Sequence, residues 1–370
     1  MPLKNVPFFE YPRLWSDDRE DLLSIIDDVS STGGFILQKA VSDFEFELAG
    51  YTGANYSVGV GNATDGMEIF LEAIGVNPGD EIIISSHTML ATASAIKVAG
   101  GVPVPVDIGE DNLIGVQAIE EAINSNTVAI MPTQLNGRIC DMDSIGALAA
   151  KYGLFIVEDA AQALGSRYKG QHAGTFGLAS DISFFPAKVL GCLGDAGGVL
   201  VNDEALYHQI YQLHDHGRDT DGEVKRWGRN SRLDNIQAAI LSHKLKSYEA
   251  VIARRREVAT LYQERLGHLD ELQLPPAPEV NGDNFDVYQN YELQSDNRDD
   301  LKNHLSEKGI GTLIQWGGTA IHQFTNLGFN QDCPKTDRFF ERCIMVPMNV
   351  FVSDDDVHYV CDNVIEFHRR

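Results

Sequence analysis

Short apolar runs alternate along the chain with segments whose apolar residues recur every three or four positions. Runs at 57–60, 81–84, 102–106, 128–131, 154–157 and 198–201 are rich in Val and Ile and predict buried strands. Between them, the pattern Val116-x-x-Ile119-x-x-x-Ile123 and the stretch 145–151 predict amphipathic helices. This rhythm specifies a mostly parallel sheet covered by helices on both faces, and such α/β sheets gather ligands at the carboxyl ends of their strands. Before this region, Leu22, Ile25, Ile26 and Val29 repeat at helical spacing behind an opening that holds Phe8, Phe9, Tyr11 and Trp15, with Ser16 as a candidate cap. After it, 233–266 reads as one long helix or two in series, and the proline-bearing stretch 274–278 as a linker. A strand at 287–294, a helix at 298–308 and a last helix from Asp354 complete a smaller α+β unit. The expected division is an N-terminal segment and large domain over 1–245, then a connecting helix and small C-terminal domain over 246–370.

Charge removes whole classes of partner. With 29 Lys and Arg against 54 Asp and Glu the net charge is −25, so nucleic acid and anionic membranes would be repelled. Five cysteines (Cys140, Cys192, Cys333, Cys343, Cys361) are odd in number and lack any C-x-x-C pair, which predicts reduced thiols, no zinc site and a cytoplasmic protein. No secretory or membrane-spanning apolar run is present in the sequence.

Two strand ends carry the candidate chemistry. The run Phe155-Ile156-Val157-Glu158-Asp159 closes in two acids and is followed by Ala160-Ala161-Gln162, while Asp181-Ile182-Ser183-Phe184-Phe185-Pro186-Ala187-Lys188 closes in a lysine. Singly, the acid is an ordinary helix cap and the lysine an ordinary solvated side chain. Together they meet the needs of pyridoxal phosphate, which requires a lysine for a Schiff base and an acid facing its ring nitrogen. That acid keeps the nitrogen protonated so that the ring can withdraw electrons. The lysine must also move a proton between carbons, which calls for a depressed pKa in a desolvated site. Ala187, Gly191, Gly194, Gly197 and Gly198 leave room for a flat ring.

Other motifs weigh less. Gly59-Val60-Gly61 lacks the third glycine of a dinucleotide loop, since Thr64 stands there. His214-Asp215-His216 places ligand-type residues two apart, which do not face one another on a helix, so no metal is expected. The run from Lys225 to Arg232 is the densest basic stretch of the chain, and reads either as a solvated loop or as a loop that meets phosphates through Arg229 and Arg232.

The chain resembles the DegT/DnrJ/EryC1/StrS family of sugar aminotransferases, a branch of the fold-type-I pyridoxal phosphate enzymes. Seven stretches carry the resemblance in order: 61–66, 77–81, 86–88, 158–162, 183–188, 194–198 and 230–234. It implies that Lys188 holds the cofactor and acts as acid and base, that Asp159 pairs with the ring nitrogen, and that Gln162 bonds the ring oxygen. It further implies a flat ring at His87 stacked on the cofactor, and phosphate contacts from Ala63, Thr64 and Ser183. Asn230 would reach the phosphate from a neighbouring subunit, hence a homodimer with active sites at the interface. Where many members read His-Leu-Tyr-Gly, this chain has Gln134-Leu135-Asn136-Gly137, and the usual Ser-Gly-Thr turn is Asn62-Ala63-Thr64.

The reaction so implied passes nitrogen from L-glutamate, by way of the pyridoxamine form, to the keto carbon of a dTDP-, UDP- or GDP-linked deoxyhexose. C3 is the favoured carbon and C4 the alternative, in the making of a surface polysaccharide or a natural product. His322, in the segment 316–322 of the small domain, would contact the sugar or serve as a structural histidine. A dehydratase would replace Lys188 by histidine, and a non-catalytic cofactor-binding regulator is the rival from another class.

Overall fold

The computed structural model describes residues 4–279 and 282–369. The large sheet is built from β1 (Tyr56–Val60), β2 (Glu81–Ser85), β3 (Val102–Val106), β4 (Thr127–Met131), β5 (Phe155–Ile156), β6 (Glu158–Asp159), β7 (Ala179–Ser183) and β8 (Gly197–Val201). One half runs β3-β2-β4-β5, all parallel, and the other β6-β7-β8-β1. β5 and β6 are successive parts of one strand, and a parallel bridge from Thr133 to Asp159 joins the halves. β8 alone runs antiparallel, to both β7 and β1. The mostly parallel expectation therefore stands, with the strand at 198–201 reversed.

Both faces of this sheet are buried, and alternation sorts the side chains. Ile83, Ile130, Ile182 and Leu200 join one apolar cluster, while Ile82, Ile84, Ala129, Met131, Val157 and Val199 join another on the opposite face. The second cluster takes in Met67, Ile69 and Phe70 of the helix Ala63–Ala73, which follows β1 directly. Asp159 is two residues beyond Val157, and Asp181 two beyond Ala179, so both acids share the face on which this helix lies.

Toward the N-terminus the sequence reading needs one change. Tyr11–Ser16 forms a helix of its own, and Arg19–Thr32 starts behind Asp18, so Ser16 closes one helix instead of capping the next. The 233–266 stretch resolves into Asn235–Leu245 and Tyr248–Leu266, in series. A second sheet orders Leu272–Gln273, Tyr291–Ser295 and Cys343–Val346, with Tyr291–Ser295 at its centre, packed by Arg298–Glu307 and Asp354–His368. Its apolar cluster also contains Val6, whose backbone pairs with the 309–311 segment through Val6 N to Gly309 O at 2.9 Å and Gly311 N to Val6 O at 2.8 Å. All five cysteines are buried and free. Among the described residues no helix is long and apolar enough to cross a membrane.

Candidate functional site

At the carboxyl ends of β1, β6 and β7 lies a cavity of about 420 Å³. Asn62 caps the helix that forms one wall, its Oδ1 accepting from Asp65 N at 2.9 Å, which leaves Ala63 and Thr64 as the first turn facing the space. Gly197 closes in behind this turn, so tightly that a methyl group there would lie 2.6 Å from Ala63 N and from Asn62 C. A glycine is what lets the helix start sit against β8.

Asp159, 4% exposed, points into the same space from the end of β6. Its Oδ2 accepts from Thr92 Oγ1 at 2.6 Å and its Oδ1 from Ala161 N at 3.2 Å. Thr92 in turn contacts Thr88 Oγ1 at 2.9 Å, and Thr88 contacts Thr133 Oγ1 at 2.8 Å, so a chain of buried hydroxyls fixes the carboxylate. Lys188 follows β7 in a tight turn, its N–H donating to Phe185 O at 2.8 Å. Burial lowers the Lys188 pKa, against the opposing pull of Asp159 and Asp181. Gln289, in the loop ahead of Tyr291–Ser295, brackets this lysine: its Nε2 donates to Ala187 O at 2.8 Å and its Oε1 accepts from Val189 N at 2.9 Å.

Gln162 lines the cavity, with Oε1 accepting from Asn136 N at 2.9 Å. Its Nε2 is thereby left as the donor end. Ser183 also lines it, its hydroxyl accepting from Phe185 N at 3.4 Å. Met67, Thr88, Met89, Leu135, Phe185, Asp195 and Trp316 complete the wall, with Lys188 the only cation among the described lining residues.

Neighbouring acids divide by face. Glu158 points away from the cavity and is saturated by Gln134 Nε2 at 2.8 Å and the N–H groups of Gly174, Phe176 and Gly177 at 2.9, 2.7 and 3.0 Å. Asp181, in register with Asp159 on the next strand, is fully buried, and neither of its oxygens has a hydrogen-bond partner. Burial raises its pKa well above the usual carboxylate range, and the Asp159 charge adds to this.

Of the residues singled out in the sequence, Lys188, Asp159, Ala63, Thr64, Gln162 and Ser183 converge on this cavity. His87 does not line it. Its ring is 1% exposed, donates from Nδ1 to Asn112 O at 2.9 Å and packs among Trp316, Phe339 and Phe340. Burial lowers its pKa to about 4, so the ring is neutral. Two positions on, Met89 is the residue that reaches the cavity.

His322 lies elsewhere too, held between Ser86 Oγ at 2.6 Å and Asp337 Oδ1 at 3.0 Å, which satisfies it as a structural residue. The two arginines singled out are spent on acids of their own chain: Arg229 bonds Glu68 at 2.6 Å and also pairs with Glu72, while Arg232 bonds Asp215 at 2.9 Å. Asn230 is exposed between them. Met89, Asp195 and Gln289 were not singled out in the sequence, and Trp316 stood there only as the first residue of the segment 316–322. For Asp195 the signal was there, inside the Gly-Asp-Ala-Gly-Gly run.

The description of the DegT/DnrJ/EryC1/StrS aminotransferase family matches residues 16–365. The pleiotropic regulatory protein of Geobacillus stearothermophilus is 34% identical over 371 residues, spanning 99% of both chains. The UDP-2-acetamido-2-deoxy-3-oxo-D-glucuronate aminotransferase of Pseudomonas aeruginosa is 36% identical over 330 residues, 89% of this chain and 91% of that one. The solved structure of S. venezuelae DesV in complex with a ketimine intermediate superposes with a TM-score of 0.94 at 32% identity, covering 99% of each chain. The sheet with one reversed strand, the lysine and acid at its strand ends and the extent of these matches agree: the chain has the fold-type-I architecture and belongs to the DegT/DnrJ/EryC1/StrS aminotransferase family.

Proposed function

We propose that this protein is a pyridoxal-phosphate-dependent aminotransferase that moves an amino group from L-glutamate to the C3 keto carbon of a nucleotide-linked deoxyhexose. The observation that carries the reading is the meeting of Lys188, Asp159, Gln162 and the helix start at Ala63 in one cavity of about 420 Å³. The residues fit the cofactor: an acid oriented by two donors, a desolvated lysine, and free N–H groups where glycine lets a helix begin.

When bound, the cofactor supplies an electron-withdrawing ring. Lys188 would hold it, and once the incoming donor's own amine has displaced Lys188, the freed Nζ, shifted toward its neutral form by burial, would take the donor's α-hydrogen as a proton and return it. Asp159 would keep a proton on the ring nitrogen. The Nε2 of Gln162 would donate to the ring oxygen. The N–H groups of Ala63 and Thr64 would receive the phosphate at a helix N-terminus, helped by the hydroxyls of Thr64 and Ser183. Met89 would cover one face of the ring. Lys188 is the only cation among the described lining residues, and Asn230 of the partner subunit would add a neutral hydrogen-bond contact to the phosphate, in a cytoplasmic homodimer.

The P. aeruginosa relative, named for a 3-oxo sugar, supports C3 over C4. The G. stearothermophilus relative, named as a regulatory protein, keeps a non-catalytic regulator as the second reading. Borohydride reduction of the loaded protein and peptide mapping should label Lys188, and Lys188→Ala should lose both half-reactions. A label elsewhere, or native turnover in that variant, refutes the mechanism. Product analysis with 3-keto and 4-keto nucleotide sugars fixes the carbon, and no turnover of any such sugar would favour the regulator.

A further inference from the structure

One buried acid has no part in the mechanism above. Glu292 sits on the central strand of the second sheet, Tyr291–Ser295, and is 8% exposed. Its Oε2 accepts from Asn136 Nδ2 at 2.7 Å. With its amide turned to donate, Gln315 reaches Glu292 Oε1 at 3.0 Å and Asn136 Oδ1 at 3.2 Å, and Asn290 Nδ2 also donates to Asn136 Oδ1, at 2.8 Å. Asn136 is therefore held by three side chains of the second lobe.

Its backbone explains why so many are needed. Asn136 has φ 55°, in the left-handed region, and the following Gly137 has φ 83°. A non-glycine residue there is strained by about 1–3 kcal/mol unless its surroundings hold it. The Asn136 N–H faces the cavity wall and donates to Gln162 Oε1 at 2.9 Å. That bond sets the polarity of the Gln162 amide, with oxygen toward the backbone and NH₂ toward the cavity.

Resting on the cofactor reading above, we propose that Glu292 is a positioning residue for the ring-oxygen end of the cavity, acting through Asn136 on Gln162. Burial raises the Glu292 carboxyl to about 8, against the pull of the Asn136 bond, so it is mostly a neutral acid near pH 7. It faces His87 Nε2 at 3.7 Å, a bare ring nitrogen, because the His87 Nδ1 proton is committed to Asn112 O. A neutral acid in this place can be anchored without a buried counter-charge, which an ionised one would need.

The test compares Glu292→Leu, Glu292→Gln and Asn136→Gly with the native protein. Two quantities are read: cofactor affinity by titration of the apo-protein, and the pH midpoint of the bound cofactor's visible absorbance. Glu292→Leu removes the acceptor, so cofactor binding should weaken about tenfold, and the midpoint should rise by about one unit as the ring oxygen loses its donor. Asn136→Gly tolerates the left-handed backbone but drops the side-chain anchors, and should reproduce both changes. Glu292→Gln keeps a neutral acceptor of the same shape and should stay within about twofold of native. The double variant Asn136→Gly/Glu292→Leu should be no worse than either single one. Native affinity and midpoint in Asn136→Gly, or in a folded Glu292→Leu, overturn the inference while leaving the cofactor reading intact. A native protein that retains no cofactor overturns that reading instead.

Discussion

Gly197→Ala is a one-carbon change whose consequences can be worked through. The added methyl would stand 2.6 Å from Ala63 N and from Asn62 C, and 2.9 Å from Asn62 O, all backbone atoms. Ordinary contact begins near 3.4 Å, so the helix start or β8 must retreat by about 0.8 Å. Overpacking of this kind costs about 1–3 kcal/mol of stability. The larger effect falls on binding, because the displaced groups are the N–H donors assigned to the phosphate. A hydrogen bond to a charged group contributes about 1.5–3 kcal/mol, so losing the geometry of one should weaken cofactor binding roughly 10- to 150-fold. Gly194→Ala, in the same run, meets nothing closer than 3.4 Å and serves as the control. Absorbance titration of the apo-protein gives the affinity and calorimetry the stability. If Gly197→Ala bound cofactor within twofold of native with an unchanged Tm, the role assigned to this close approach would be wrong.

Three further outcomes follow from the same geometry. Asp181, raised by burial and by Asp159, binds its proton more tightly folded than unfolded, so its contribution is fully present below the unfolded value of about 3.9 and is lost as pH rises toward the folded pKa. Asp181→Asn should therefore gain stability relative to the native protein from about pH 4 upward, as chemical denaturation at a series of pH values will show; a widening loss would mean that Asp181 is ionised and paired. Thr92→Val removes the donor to Asp159 Oδ2 while keeping the side-chain shape, and should lower cofactor affinity about tenfold, with little change if Asp159 needs no second donor. Gln289→Met frees the peptide groups on both sides of Lys188 and should move the pH midpoint for imine formation with a small aldehyde back toward the ordinary lysine range; an unmoved midpoint would show that burial alone sets it.

The parts of this structure legible in the sequence are those written in local pattern. Continuous apolar runs place β2 and β4 between two apolar layers, and the acid and lysine at successive strand ends place the cavity. What is hidden depends on partners far along the chain. The reversal of β8 has no mark in its composition, since Gly197–Val201 is buried on both faces whichever way it runs. His87 and Met89 lie on one short turn after β2, and only the path of that turn decides which faces the cavity. Arg229 and Arg232 read as a phosphate-meeting pair until Glu68, Glu72 and Asp215 are found beside them. Gln289 and Glu292 reach Lys188 and Gln162 from more than 100 positions away, a relation that no spacing rule encodes.

The pairing of Val6 with the 309–311 segment bears on how the protein comes apart. Lys4 adds an ion pair to Asp356 at 2.7 Å, and Asn349 Nδ2 donates to Pro7 O at 3.3 Å. The second lobe is thus completed by residues that enter from the opposite side of the sequence, ahead of the whole large sheet. A fragment made of 246–370 alone would lack a buried valine and a backbone bridge, and a truncation before residue 9 would wound a lobe more than 300 positions distant. The segment ahead of the large sheet thus closes on the second sheet, and loss of packing around one sheet should be felt by the other.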